Sequence, residues 1–190
     1  DRRQRQMCIR DRLYSDKVEV DKNLVGNRVE IQSHLLPGAD AQSGRVDYEI
    51  LVPADASITL HSSTGPLRAE RLHGDVTLEG AAATVEIRDI TGAHVHVKTL
   101  NGPVTLTNVQ DGHVEVDSLS GAVTLNGVTG PLVQVISTSG SISYIGDFGD
   151  RGEYRLTSHS GNIEAMVPDT TSADVSARSV RGEVHDDIPL

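Results

Sequence analysis

Residues 102–130, GPVTLTNVQDGHVEVDSLSGAVTLNGVTG, state one phrase three times. Each copy has a glycine, a small or polar residue, then two aliphatics with one polar residue between them. The phrase extends well beyond this stretch. Glycines stand at positions 65, 74, 92, 102, 112, 121, 130, 140, 152, 161 and 182, mostly 9 or 10 residues apart, with Ala83 where another would fall. Repetition at a fixed period limits the architecture more than any single motif does.

Apolar residues alternate after each marker: Val76 and Leu78, Val85 and Ile87, Val95 and Val97, Val104 and Leu106, Val114 and Val116, Val123 and Leu125, Val133 and Val135. Ile142 and Tyr144, Tyr154 and Leu156, Ile163 and Ala165, and Val175 and Ala177 continue the series. Period two predicts short strands buried on one face. A third apolar residue, at Ile90, Leu100, Val109, Leu119, Val128 and Val180, is expected to point inward at the corner. The glycines belong at turns, where the chain needs positive φ or tight backbone passage. Constant unit length favours stacked coils over a sandwich, whose loops vary freely.

Two units make a coil of 19–20 residues with two strands facing each other. Four to six inward aliphatics contribute about 1.5–3 kcal/mol each. Ordering about 20 residues costs roughly 1.5 kcal/mol apiece, so one coil cannot fold alone. Stacking supplies the missing ladder bonds and burial. With one Phe, four Tyr and no Trp, the chain has aliphatics to fill thin layers and few rings for a bulky core. The predicted class is all-β: an elongated β-solenoid with an N-terminal antiparallel β cap.

The solenoid is expected over residues 61–190, truncated at its C-terminus, where GEVHDDIPL reads as a strand being entered. Residues 13–60 supply longer capping strands, with turns at Pro37-Gly38 and near Gly44 and a strand end at Pro53. Residues 1–12, DRRQRQMCIRDR, contain five Arg and no apolar periodicity. They read like a translated sequencing adapter and are set aside as disordered. That also sets aside Cys8, the single cysteine, leaving no disulfide or thiol chemistry.

The stretch YEILVPADASITLHSSTGPLRAERLHGDVTLEG, the recurring GxVxL phrases, STSGSISYIG and SHSGNIEAMVP resemble the bacterial DUF4097 family of adhesin-like β-strand repeat proteins. The similarity covers residues 45–188. It implies a β-solenoid of the bacterial envelope or extracellular space, often joined to a membrane segment elsewhere in the chain. The family brings no catalytic residue to carry over.

Registering alternate units places Asp75, His94 and His113 in one outward column. Thr77, His96 and Glu115 form the next, and Glu79, Lys98 and Asp117 a third of complementary charge. His94 and His96 share a face about 6.5–7 Å apart, with His113 about 4.8 Å away on the next coil. Imidazoles with Asp75 or Glu115 form a candidate surface zinc site, set against a plain solvated polar face. Neighbouring imidazoles also suit a pH-sensitive face. Asp147, Asp150 and Glu153 in GDFGDRGEY are candidate calcium ligands, without the spacing of an EF-hand. TSHSG, at 157–161, lacks the strand-to-helix turn of a nucleophile elbow. Thr105, Thr107, Thr124, Asn126 and Ser143 form a low-charge outward ladder on the other sheet.

The formal charge of −10 disfavours nucleic acid and anionic lipid surfaces as partners. No apolar run reaches the roughly 18 residues that crossing a membrane as a helix requires. The expected function is a non-enzymatic scaffold or adhesion surface of a bacterial envelope or extracellular protein. It would bind glycan or another envelope protein and hold no cofactor. The alternatives are a β-helix carbohydrate-active enzyme, lyase or hydrolase, and a metal- or pH-sensing module.

Overall fold

The computed structural model describes residues 8–13, 17–39, 45–149 and 151–186. The chain divides into two compact units between Pro53 and Ala54. In the first unit, β1 (Cys8–Leu13) pairs antiparallel with β4 (Val46–Leu51), while β2 (Val18–Val25) pairs antiparallel with β3 (Arg28–Leu35). Gly26, at φ +63, closes the β2–β3 turn. Residues 8–12, expected to be disordered, therefore lie in a strand. Their backbone groups are engaged by β4 despite the lack of apolar alternation.

The second unit is the solenoid. Odd strands β5 (Ile58–Ser62), β7 (Val76–Gly80), β9 (His94–Thr99), β11 (His113–Ser118), β13 (Leu132–Ser137) and β15 (Glu153–Ser158) form one six-stranded parallel sheet. Even strands β6 (Leu67–Leu72), β8 (Val85–Thr91), β10 (Val104–Gln110), β12 (Val123–Val128), β14 (Ile142–Ile145) and β16 (Ile163–Met166) form the other. An odd strand and the even strand after it make one coil. β5 belongs to this stack, so the solenoid begins before residue 61. No helix of the described residues is long and apolar enough to cross a membrane.

Register follows the repeat. Val76 pairs with Val95, Val95 with Val114 and Val114 with Val133 on the odd sheet, all fully buried. Val85, Val104 and Val123 align in the same way on the even sheet. Like side chains stack in columns between the sheets, and each coil shelters the next.

The two corners of a coil differ, which divides the expected third inward position. On even strands, Arg71, Asp89, Asn108 and Gly127 adopt φ values of 56°, 53°, 54° and 61°, and the ladder skips them. That left-handed residue resets the alternation, as a bulge does. Ile90, Val109 and Val128 consequently turn inward and are fully buried. Odd strands keep strict period two through their last residue. The inward position is then Thr99, Ser118 or Ser137, all buried, while Leu100 and Leu119 point out, 51% and 47% exposed. Thr99 and Ser137 accept a hydrogen bond from the backbone N–H three residues on, of Gly102 and Gly140. The Ser118 hydroxyl instead donates to the Gly121 carbonyl.

The corner glycines answer to backbone approach rather than to φ. A β-carbon on Gly121 would lie 1.9 Å from the Gly102 carbonyl oxygen of the preceding coil. One coil solves the same problem differently. Ala83 replaces the corner glycine, and Gly80 replaces the usual hydroxyl residue. A β-carbon at Gly80 would lie 2.8 Å from the Ala83 methyl.

Repetition of sequence outlasts repetition of structure. Val175 and Ala177 lie in no strand, and Val180 is 88% exposed. No strand follows β16 among the described residues.

Gly121→Ala is expected to cost about 1–3 kcal/mol, because the carbonyl it meets is backbone and cannot rotate away. Ala122→Ser, on the exposed neighbour, is expected to stay within about 0.5 kcal/mol. Urea unfolding midpoints of the two variants measure the difference. Equal losses would show that coil-to-coil contact is not what the glycine serves.

Candidate functional site

Side chains on the outward face of the odd sheet come from alternate positions of β7, β9 and β11, so parallel register fixes their neighbours. His94 pairs with His113, His96 with Glu115, and Lys98 with Asp117. The His94 and His113 rings meet edge to face with centroids 4.8 Å apart. His96 Nδ1 lies 3.2 Å from Glu115 Oε2. A further pair, His61 Nδ1 and Glu79 Oε2, lies 3.1 Å apart one column over. Most of these groups are half exposed, and such contacts are worth about 0–1 kcal/mol each.

This face gathers the five zinc candidates as pairs rather than as one set. Asp75 Oδ1 accepts the His94 backbone N–H at 3.1 Å, which ties the carboxylate to the ladder. His94 and His96 are two residues apart on one strand, and each turns to a different partner across the coils. No group of three His, Cys, Asp or Glu able to hold a metal ion occurs among the described residues. The calcium candidates fare similarly. Asp147 Oδ1 lies 3.3 Å from the Gly149 backbone N and 3.2 Å from Thr171 Oγ1. Glu153 pairs with Arg155 at 2.6 Å, and Asp150 lies outside the described residues. Ser158 of TSHSG serves the corner, accepting the Gly161 N–H at 2.8 Å.

Sequence reasoning missed the rim of this sheet. A groove of about 680 Å³ runs across five coils where the odd strands end. Leu100, Leu119 and Ile136 stand along it, 51%, 47% and 41% exposed. Lys98 and Asp117, neighbours in register, border it with opposite charges, and Gly80 and Ala81 line it with small residues. The strict alternation of the odd strands was the available signal: with Val95, Val97 and Thr99 inside, Leu100 must face out.

At the far end of the stack, Tyr144, Phe148 and Tyr154 form a ring cluster with centroids 4.7–5.6 Å apart. The fully buried Tyr144 hydroxyl lies 2.9 Å from the Val128 carbonyl oxygen and 2.6 Å from that of Asp147. Burial pushes this hydroxyl far above the ordinary tyrosine value of 10.0, and Tyr154 and Asp147 beside it add to the shift. Burial raises Tyr154 too, against the Gly130 N–H that it accepts.

Two outcomes are expected. Zinc titration followed by calorimetry should give no stoichiometric site, and the His94→Ala/His113→Ala variant should give the same trace. A saturable isotherm lost in that variant would restore the metal centre. For Tyr144, the folded-state value lies above the unfolded one. Its contribution is therefore complete below pH 10.0 and fades as pH climbs toward the folded-state value. Tyr144→Phe should lose about 1–1.5 kcal/mol at neutral pH. It should also flatten the decline in guanidinium midpoint above pH 10. An unchanged alkaline decline would assign it to other groups.

No curated protein and no solved structure matches the chain. The family model described as Toastrack DUF4097 matches residues 10–189, in keeping with the all-β coil stack. The chain belongs to the Toastrack DUF4097 family.

Proposed function

We propose that this domain is a non-enzymatic scaffold of a bacterial envelope or extracellular protein, and that it holds another envelope protein against the rim of its odd sheet. The observation that carries the reading is the exposed stack of Leu100 and Leu119, with Ile136 beside it on the next coil opposite Asp117, along a groove of about 680 Å³. Contiguous exposed apolar surface on a regular scaffold is characteristic of interaction sites. Lys98 borders the groove between Glu79 and Asp117 in register, which suits a partner segment carrying both signs. Coils of near-constant length keep the spacing of these side chains fixed, so a partner meets a preorganised surface. The location and the adhesive role extend what family resemblance implies.

The test is retention of the labelled domain on bacterial cells and on isolated envelope fractions. The wild-type domain is expected to bind saturably. Leu100→Ser/Leu119→Ser is expected to weaken binding at least tenfold without lowering the thermal midpoint, since both side chains are already half in water. Binding unaffected by the double substitution would dismiss the rim. Release of new reducing ends or unsaturated sugars from envelope polysaccharides would replace the scaffold with an enzyme.

A further inference from the structure

Among the described residues β15 and β16 end their sheets, and each has a ladder partner on one side only. The core is dry through the coil that contains Tyr144 and wet beyond it: Ile163 and Ala165, which continue the buried columns of Ile142 and Tyr144, are both exposed. An unpaired parallel edge over an open apolar layer is a template for another strand. The chain itself carries a strand of matching pattern.

Val133 pairs with Tyr154, Val135 with Leu156 and Ser137 with Ser158, an offset of 21 residues. The same offset leads from Tyr154 to Val175, from Leu156 to Ala177, from Ser158 to Ser179 and from Gly161 to Gly182. The corner of this next rung already exists. Ser179 Oγ accepts the Gly182 N–H at 2.7 Å, as Ser158 and Ser137 accept from Gly161 and Gly140 at 2.8 Å. Upstream, Thr171 Oγ1 lies 3.2 Å from Asp147 Oδ1, tying the connection to the preceding loop. Yet Val175 stands 64% exposed, outside any strand.

We infer that the free edge of β15 is a strand-docking surface, and that its occupant is the chain's own 174–182 segment. Docking adds a seventh parallel rung with Val175 over Tyr154, Ala177 over Leu156 and Ser179 over Ser158. The sequence also explains why this rung is held weakly. Ala177 brings little surface to cover Leu156, and register places Asp174 beside Glu153, like charges directly opposite. The segment is thus a detachable end piece. While it is away, the edge is open to other strands.

Register is the property to test. In a Cys8→Ser background, Thr157→Cys/Arg178→Cys places two outward thiols opposite each other, whereas Thr157→Cys/Ser176→Cys places them two residues out of step. Mild oxidation should close an intramolecular disulfide at least fivefold faster in the first variant, as mass spectrometry of the monomer reads. Hydrogen exchange of the cysteine-free chain should show amides 175–179 slowed relative to 183–186, and Asp174→Asn should slow them at least threefold further. Equal closure in the two variants, with exchange at 175–179 as fast as at 183–186, would overturn the inference. Disulfides found only between chains would overturn it as well, and would assign the edge to a second copy.

Discussion

Successive coils approach until backbone meets backbone at the corners, and the rest of the solenoid depends on that approach. The ladder holds neighbouring strands about 4.8 Å apart, which leaves no room for a β-carbon where the chain turns sharply inward. Gly102, Gly121, Gly140 and Gly161 therefore form a column in which each lies against the carbonyl of the one before. Once the corners close, the columns of Val, Leu and Ile align without further instruction. The hydroxyls of Thr99, Ser118 and Ser137 then satisfy the corner from inside the core.

Two corners of different construction give the coil two different rims. At the even corner, one left-handed residue (Arg71, Asp89, Asn108 or Gly127) resets the alternation, and the next aliphatic plugs the core. At the odd corner the alternation runs on, a hydroxyl fills the inward place, and leucine is left in water. The apolar rim on which the proposed function rests is thus a by-product of how one turn is capped. Binding surface and stability come from neighbouring residues with opposite orientations, Thr99 inward and Leu100 outward.

Much of this could be read from the residues. The 19-residue offset placed His94 beside His113, Thr77 beside His96 and Glu79 beside Lys98, because parallel stacks allow no other register. The corner phase was harder, because Asp89 and Asn108 carry positive φ without being glycine, although Asn and Asp tolerate that region better than most residues. The five metal-ligand candidates are divided into pairs because a shared face is not a shared point. Strand rise separates His94 from His96, and a partner on the adjacent coil occupies each one. Repetition also promised more strands than formed. A repeat gains stability from what its neighbours bury, and Ala177 offers its neighbour little.

The exchange at Gly80 and Ala83 has a consequence for descent. A methyl group has been moved three residues along the chain without enlarging the coil. Alanine at position 83 leaves no room for a side chain at position 80, so the two positions are coupled among relatives: alanine at the corner only with glycine three residues earlier. Conservation scored one column at a time would report two variable sites there, when the fold has fixed a single constraint distributed over both.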